Sequence, residues 1–407
     1  MGKVFFPAVF AIVFLCAMCN RVDTVQRAQG NSTPEGADAV TAATARKGPP
    51  ARKLLERLMP GAMGDGLVKI AVVVNLEAGD QSRQFIEGCV SEGRSMGFTV
   101  DAFVTGADEG RCRELAAGIA GADYDGLVFA YGEMYGSGDS VESGDFSWDI
   151  LRQIAEKGLP IVTFEAFPYN HGTPIDGIIS TFEDDGNLTR LSLDVLLAYI
   201  RGNSHRTVRV IRVASHSGQP FLDRRNMAFD LYAYRNAIEE LALVTIDDSD
   251  DIAAALSRFP PGSVDALWSP HDAFTGKCVE ALASLGRQDI KVVSIGISND
   301  GIRLMQRYPE IWLADIAVDP RLAGAVNMRL LAAQLAGESL PDSVSFAPQV
   351  LRAAHLNRAV NIANIHVMIP VWGDEWGMFD HYRWMSNLKH ATEHYLRIPP
   401  VGMAATR

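Results

Sequence analysis

Cysteine is scarce in this chain. Its 407 residues contain five cysteines, and only Cys89, Cys112 and Cys278 lie beyond the N-terminal apolar stretch. Cys89 and Cys112 fall on successive predicted helices. If the strand order reverses after the first crossover, right-handed connections place these helices on opposite faces of a sheet. A disulfide between them is therefore not expected, and we interpret the three thiols as small buried apolar groups.

Basic charge and catalytic motifs are also lacking. The net charge of -12 excludes a nucleic-acid-binding protein, because phosphate binding needs a basic surface. The sequence has no GxxxxGK(S/T) phosphate loop, no HExxH and no paired CxxC motifs. Its one GxSxG match, GRSMG at 93–97, lies at the end of a predicted helix and not at the strand-to-helix turn of a nucleophile elbow. An acidic run at 247–251 lacks the glycine and the distal glutamate of a calcium loop. We therefore expect no metal, no cofactor and no enzymatic activity.

Long hydrophobic runs are absent except at the N-terminus. Lys3 supplies positive charge and Val4–Met18 is apolar, which predicts an export signal over residues 1–19 and is short for a membrane span. Residues 20–66 are rich in Ala, Thr, Gly and Pro, which predicts a flexible tether. The mature protein is expected outside the cytoplasm. Two forms stay open, one freely soluble and one lipid-anchored through Cys19.

The remaining chain alternates strands and helices. The apolar run Ile70–Val74, a helix containing Phe85 and Cys89, and a second strand at Phe98–Val104 form one βαβ unit. The alternation continues to strands at Lys291–Ile297 and Leu313–Val318 and a helix at Arg321–Ala336. Two such runs of about 120 residues each predict an α/β protein with two similar doubly wound parallel-sheet lobes, not one very wide sheet.

Polar side chains follow the predicted strands at their carboxyl ends, where open α/β sheets bind ligands. Carboxylates, amides and an arginine satisfy the hydroxyls of a sugar, and aromatic faces stack on its C–H groups. Each such residue alone is more typical of a helix cap. The candidates are Asp80, Gln81, Glu133, Glu165, Phe167, Gln219, Arg225, His271, Ser298 and Asn299.

Four segments resemble the periplasmic sugar-binding proteins of the ribose/galactose type. They are PIVTFE (160–165), DRRNMAF (223–229), WSPHDAFTGKCVEAL (268–282) and KVVSIGISNDG (291–301). The resemblance covers roughly residues 68–351 and places Glu165 and Arg225 at the family's ligand acid and arginine. It adds Asp319 to the candidate site. It departs from the family where His271 replaces an asparagine, Ser298 replaces an aspartate, and Gln81 and Ser82 replace two aromatic residues.

The resemblance also implies a domain organisation. Three crossovers near Phe182, Asp319 and Leu351 would form a three-strand hinge between the lobes. The N-terminal lobe is expected over 67–181 plus 319–350, and the C-terminal lobe over 182–318 plus 351–368. An aromatic-rich extension at 369–407 is interpreted as packing against the lobes, with a partner-docking surface or a lid as alternatives.

The functional expectation is a monomeric type I solute-binding protein that delivers a sugar or similar small molecule to an ABC permease. One alternative is a sensor of the same fold that signals to a membrane kinase or chemoreceptor. Another is an enzyme on a doubly wound fold, for which Ser298 near His271 is the available pair. A hydrogen bond between those two side chains is the observation that would favour the enzyme.

Overall fold

The structure is a computed structural model that describes residues 55, 57–63, 67–106, 108–132, 145–166, 169–170, 173–202, 206–214, 219–245, 249–369, 372, 379 and 381–395. Three of the predicted functional residues, Cys19, Glu133 and Phe167, lie outside the described residues.

A six-stranded, fully parallel sheet forms the centre of the first lobe. Its strand order is β13-β7-β4-β3-β1-β2. Its strands are β1 (Lys69–Val74), β2 (Thr99–Val104), β3 (Gly126–Ala130), β4 (Ile161–Phe164), β7 (Ile178–Glu183) and β13 (Ser343–Phe346). A two-stranded hairpin, β5 (Tyr169–Asn170) with β6 (Thr173–Pro174), follows β4.

The second lobe repeats this plan with the order β14-β12-β11-β10-β8-β9. Its strands are β8 (Val208–Ala214), β9 (Ile238–Thr245), β10 (Ala266–Ser269), β11 (Lys291–Ile295), β12 (Trp312–Ala317) and β14 (Gln349–Arg352). Only β14, at the edge, pairs antiparallel among these described strands.

Helices cover both faces of each sheet. They are α1 (Asp80–Ser95), α2 (Glu109–Gly121), α3 (Asp145–Glu156), α4 (Asp185–Arg201), α5 (Pro220–Arg235), α6 (Ser249–Leu256), α7 (Asp272–Ser284), α8 (Asn299–Arg307), α9 (Pro320–Leu335), α10 (Ile365–Met368) and α11 (Arg383–Tyr395). Among the described residues, none of the helices is both long and apolar enough to cross a membrane.

Strand β1 shows why its sequence is continuously apolar. Ile70, Val72 and Val74 pack into the core that contains α1 and α9, whereas Ala71 and Val73 pack into the core on the other face. All five side chains are buried. A strand covered by helices on both sides has no solvent-facing positions, so the polar alternation of a half-exposed strand is missing.

The chain passes between the two sheets three times. It leaves the first sheet after β7 and enters α4, returns from β12 into α9, and leaves again between β13 and β14. The predicted fold class of two doubly wound lobes with a three-strand hinge is therefore confirmed. Helix α8 was not predicted and occupies part of the gap between the predicted strands that begin at Lys291 and Leu313. The helices α10 and α11, after the last predicted helix, were not predicted either.

The segment before β1 packs more tightly than the sequence suggested. Leu55, Met59 and Met63, inside the predicted tether, are buried in the core of the first lobe. Their spacing of four residues is helical, which the composition of the segment concealed. The expectation of a tether that reaches residue 66 is therefore wrong over this stretch.

The C-terminal extension contacts both lobes. Trp372 belongs to the core of the second lobe, while Phe379, Tyr382 and Leu388 belong to the core of the first. Trp384 donates a hydrogen bond from Nε1 to Glu338 Oε1 over 2.9 Å. The described aromatic side chains of the extension therefore pack against the lobes, as the sequence had indicated.

Candidate functional site

A cavity lies between the lobes at the carboxyl ends of their strands. Its space free of protein atoms is about 550 Å³, including a part open to solvent. Parallel strands direct their following loops to the same edge, so both sheets contribute to this cavity. It is lined by Gln81, Tyr131, Glu165, Glu183, Phe221, Arg225, His271, Gly296, Ile297, Ala317, Val318 and Pro320.

Two residues in the wall from the first lobe have unusual backbone conformations. Tyr131 follows β3 with φ of 63°, and Glu165 follows β4 with φ of 49°. For residues other than glycine this left-handed conformation costs about 1–2 kcal/mol. Their N–H groups remain in the sheet ladder, Tyr131 donating to Phe164 O at 2.7 Å and Glu165 to Thr181 O at 3.0 Å. Such conformations cluster at functional sites, and both of these side chains face the cavity.

Arg225 anchors the wall from the second lobe. It lies one turn into α5 and is 5% exposed. Its Nε donates to Asp185 Oδ1 at 2.7 Å, its Nη1 to Pro270 O at 3.0 Å and its Nη2 to Glu183 Oε2 at 3.2 Å. The guanidinium also lies over the ring of Phe221, 4.8 Å from its centre. These contacts hold the charged group in one orientation at the cavity wall.

Three carboxyl groups cluster around this arginine. The N–H of Glu183 donates to Glu165 Oε1 at 2.5 Å, and Asp185 follows at the start of α4. Burial, with the charges of Glu183 and Asp185 nearby, raises the pKa of Glu165 well above its ordinary value. Burial raises the pKa of Glu183 to about 7, against the lowering effect of Arg225. Burial and mutual repulsion therefore favour the protonated form of a carboxyl group in this cluster.

His271 and Phe221 supply the aromatic surface of the second lobe. Their ring centres are 5.8 Å apart. His271 caps helix α7, with its Nδ1 accepting the N–H of Ala273 at 3.2 Å. Burial lowers the pKa of His271, so the neutral ring is favoured. A neutral imidazole beside a phenyl ring gives this part of the cavity an apolar face with one polar edge.

Hydrogen bonds join the two lobes at the rim of the cavity. Gln81 Nε2 donates to Ile297 O at 3.1 Å, and the N–H of Asn299 donates to Asp80 Oδ2 at 3.2 Å. Asn299 Oδ1 in turn accepts the N–H of Ile362 at 3.0 Å. The lobes are therefore in direct contact on this side of the cleft.

The structure brings four of the candidate residues together in the cavity wall: Gln81, Glu165, Arg225 and His271. Asp80 and Asn299 lie at the rim, in the contacts between lobes. Ser298 and Asp319 are helix caps, since Ser298 Oγ accepts the N–H of Gly301 at 3.1 Å and Asp319 Oδ1 accepts that of Arg321 at 2.9 Å. Gln219 precedes α5 without a side-chain capping bond. For these five residues the structure shows no place in the cavity wall.

Sequence reasoning missed Tyr131, Glu183 and Phe221. Tyr131 ends the predicted strand DGLVFAY, and Glu183 stands at the first predicted crossover, so both positions carried a signal. Phe221 had none, because an aromatic residue near a helix start more often belongs to the core. Among the described residues, no hydrogen bond joins Ser298 to His271, and no group of three metal-ligating side chains occurs.

These observations define the class of the protein. Two doubly wound lobes, three connections between them and a polar cavity at their facing strand ends describe a two-lobed ligand-binding protein of the periplasmic type I architecture. No protein-family model matches the chain, and no curated protein matches it.

Comparison with solved structures shows the family. A sugar ABC transporter protein from Yersinia enterocolitica subsp. enterocolitica 8081 is 30% identical, with a TM-score of 0.66, and the match covers 82% of this chain and 98% of that one. The chain belongs to the solute-binding proteins of sugar ABC transporters. Such proteins are not enzymes, which agrees with the absence of catalytic motifs from the sequence.

More distant structures share the fold. The 5-methylthioribose transporter solute-binding protein from Thermotoga lettingae TMO, solved with 5-methylthioribose, is 21% identical with a TM-score of 0.63; the match covers 79% of this chain and 98% of that one. An arabinose-binding protein from Geobacillus stearothermophilus is 14% identical with a TM-score of 0.59, covering 71% and 98%.

Proposed function

We propose that this protein is an exported solute-binding protein that captures a sugar or sugar-like small molecule between its lobes for import by an ABC permease. One observation carries the proposal: both lobes contribute hydrogen-bonding side chains to one cavity that also has aromatic walls. Sugars require this combination, because they present hydroxyl groups around a ring with apolar C–H faces. The family membership supports transport.

Binding in this account is a hinge closure. The ligand would first contact one lobe, and rotation about the three crossovers would bring the other wall against it. The rim contacts, Gln81 with Ile297 and Asp80 with Asn299, would then form between the lobes. Asp80 and Asn299 would act in closure, and Glu165, Glu183 and Arg225 would contact the ligand. Gln81 would do both, since its Nε2 bonds the other lobe and its Oε1 stays available in the cavity wall. The lobe boundary expected at 318–319 is part of this proposal. Those expected at 181–182 and 350–351 fall inside β7 and β14, so the proposed boundaries lie after Glu183 and between Phe346 and Gln349.

The proposal includes a location and a state of assembly. The basic and apolar N-terminus is that of an export signal, which would place the lobes outside the cytoplasm. Cys19 is the candidate for lipid attachment. One cleft can serve one permease without a second copy, so the protein is proposed to act as a monomer.

Ligand binding can be tested with a panel of sugars, polyols and nucleosides. The panel is first screened by thermal unfolding and then titrated by calorimetry. At a concentration 100 times its dissociation constant, a ligand stabilises the folded state by about 2.7 kcal/mol. Absence of binding by every member of the panel to the folded protein would overturn the sugar proposal.

A matched pair of variants on α5 tests the place of binding. Phe221→Ala removes a buried ring from the cavity wall, whereas Met227→Ala removes an apolar side chain that is 65% exposed on the same helix. We expect Phe221→Ala to weaken the best ligand roughly tenfold or more and Met227→Ala to leave it unchanged, since a buried aromatic contact contributes above 1 kcal/mol. Equal affinities in the two variants would exclude this cavity.

A further inference from the structure

The charges in the cavity wall do not balance. Asp185 is paired with two guanidinium groups, Arg225 at 2.7 Å and Arg224 at 2.7 Å, and Glu183 lies 3.2 Å from Arg225. In the described part of the chain, no lysine or arginine lies at ion-pair distance from Glu165. Three carboxyl groups thus face two guanidinium groups, and the unmatched acid, Glu165, lines the cavity.

The hydrogen-bonding groups of the wall are unbalanced in the same direction. Glu165 and Glu183 together carry four carboxylate oxygens, of which Glu165 Oε1 and Glu183 Oε2 accept bonds from the protein. Gln81 uses one of its two Nε2 hydrogens on Ile297 O and keeps one N–H and its acceptor oxygen. Arg225 has used three of its five N–H donors on the protein. The Tyr131 hydroxyl and the Nε2–H of the neutral His271 add two donors. Because each carboxylate offers about four lone-pair sites, the acceptor sites of the cavity still outnumber its donors, which suits a ligand rich in donors.

We propose that the ligand of this cavity carries a protonated amine, as in an amino sugar or an amine-bearing polyol, and that Glu165 is its ion-pair partner. This inference rests on the proposed function and names the chemical class of the ligand. An ammonium group has three donors and no acceptor, and it supplies the positive charge that the wall lacks. The hydroxyls of the same molecule would bond Glu183, Gln81 and the two remaining N–H groups of Arg225.

The environment of Glu165 explains why a cation fits better than an uncharged group. Glu183 and Asp185 add negative charge around its carboxyl group, Arg225 is the nearby cation, and the buried phenol of Tyr131 is neutral. Without a ligand, the cluster relieves its repulsion by holding a proton. An ammonium group would take the place of that proton, so binding should release up to one proton to solvent. A neutral sugar would leave the proton on the carboxyl cluster, so its binding should release none.

Calorimetric titration of the full chain with matched sugars tests this proposal. Glucosamine, galactosamine and mannosamine are compared with glucose, galactose and mannose, and with the three N-acetyl derivatives, at about pH 7. We expect at least one amino sugar to bind roughly tenfold or more tightly than its parent sugar and its N-acetyl derivative. Repeating the titration in two buffers of different ionisation enthalpy should show proton release for the amine alone.

Two variants assign the effect to one carboxyl group. Glu165→Gln should reduce the preference for the amine to within about threefold and abolish proton release, since one unit of charge is removed at the same size. Glu87→Gln, on α1 and outside the cavity wall, removes the same charge from a side chain that is 47% exposed and should leave the preference intact. Equal preference in wild type and Glu165→Gln would overturn the role of Glu165.

The outcomes separate the two proposals. If neutral sugars bind as tightly as their amines, the amine inference is overturned while the proposed function stands. If other members of the sugar panel bind and no amino sugar does, the amine inference is again overturned alone. If neither the panel nor any amino sugar binds the folded protein, the proposed function fails and the amine inference fails with it.

Discussion

The two lobes hold equivalent helix pairs together in different ways. In each lobe, the first helix packs beside the helix that follows a crossover: α1 with α9 in the first lobe, and α5 with α4 in the second. In the first lobe the backbones touch. A Cβ atom added to Gly88 would lie 2.0 Å from Arg321 O, and one added to Gly324 would lie 2.1 Å from Phe85 O.

The pair in the second lobe is joined by polar side chains. Asp185 on α4 bonds Arg224 and Arg225 on α5, and the Tyr232 hydroxyl donates to Asp194. Arg225 also faces the cavity, so the group that joins the two helices is part of the binding wall. The first pair also has a buried ion pair, Arg329 Nε with Glu92 Oε1 at 2.8 Å, but these residues do not belong to the cavity wall. The charged contacts of the second pair do reach that wall, so the stability of the second lobe is linked to the charges of the cleft.

The largest effect is expected from the charged contact. Arg225→Ala leaves Asp185 and Glu183 in the wall without their buried partner, which costs about 3–5 kcal/mol of unfolding free energy. Arg224→Ala removes the other partner of Asp185, but this side chain is 39% exposed and its loss should cost about 1 kcal/mol or less. Urea denaturation measures both. Equal losses of unfolding free energy in the two variants would show that burial of an ion pair does not determine its contribution to stability.

The close contact between the backbones of α1 and α9 predicts that a substitution there lowers the unfolding free energy by a similar amount. Gly324→Ala forces α1 and α9 apart and should lower the unfolding free energy by about 3 kcal/mol. The control is Gly118→Ala on α2, where an added Cβ meets no atom within 4 Å and helix propensity should raise stability by about 0.5–1 kcal/mol. A loss below about 1 kcal/mol in Gly324→Ala would mean that the helix pair can adjust.

The carboxyl groups of the cleft should make the stability of the folded protein depend on pH. The folded-state pKa of Glu183 is about 7, above the ordinary value of 4.5, so the folded protein binds more protons than the unfolded chain between these values. Stability from this group is present below pH 4.5 and is lost as the pH rises through 7, by at most about 3 kcal/mol.

The measurement is urea denaturation at several pH values for wild type and Glu183→Gln. The difference between them isolates Glu183 from the histidines, because burial lowers the pKa of His271 and of His366 and these act in the opposite direction. The stability of Glu183→Gln relative to wild type should increase between about pH 4.5 and pH 7 and then level off. A difference that is independent of pH would contradict the assigned pKa.

The smallest effect concerns the extension over the first lobe. Trp384→Phe removes the hydrogen bond to Glu338 and should cost about 0.5–1.5 kcal/mol. Val367→Ala changes a side chain on α10 that is 70% exposed and should stay within about 0.5 kcal/mol of wild type. If Trp384→Phe is also neutral, the hydrogen bond of the extension adds nothing measurable to the stability of the first lobe.

The fold class could be predicted because local patterns in the sequence determine it. Apolar runs such as Ile70–Val74 and alternating helices require parallel sheets covered on both faces, and two runs of this kind require two lobes. Residues 55–63 were misjudged, because three apolar residues at helical spacing are a weak signal inside a segment rich in Ala, Gly and Pro.

The site was harder to predict than the fold. Strand-end polar residues cap helices and bind ligands with the same chemistry, so Ser298 and Asp319 could not be separated from Glu165 by residue type. Glu183 enters the wall because the first crossover passes beside Arg225, a neighbourhood that depends on the assembled lobes. The position of a side chain in the cleft is therefore a tertiary property.

The most direct test of the account is X-ray diffraction from crystals grown with the tightest-binding member of the sugar panel. We expect density for one ligand between the lobes, within hydrogen-bond distance of Glu165 and Arg225 and against the ring of Phe221. Ligand density outside this cavity, or an empty cavity in crystals grown at saturating ligand, would contradict the assignment of the cleft as the binding site.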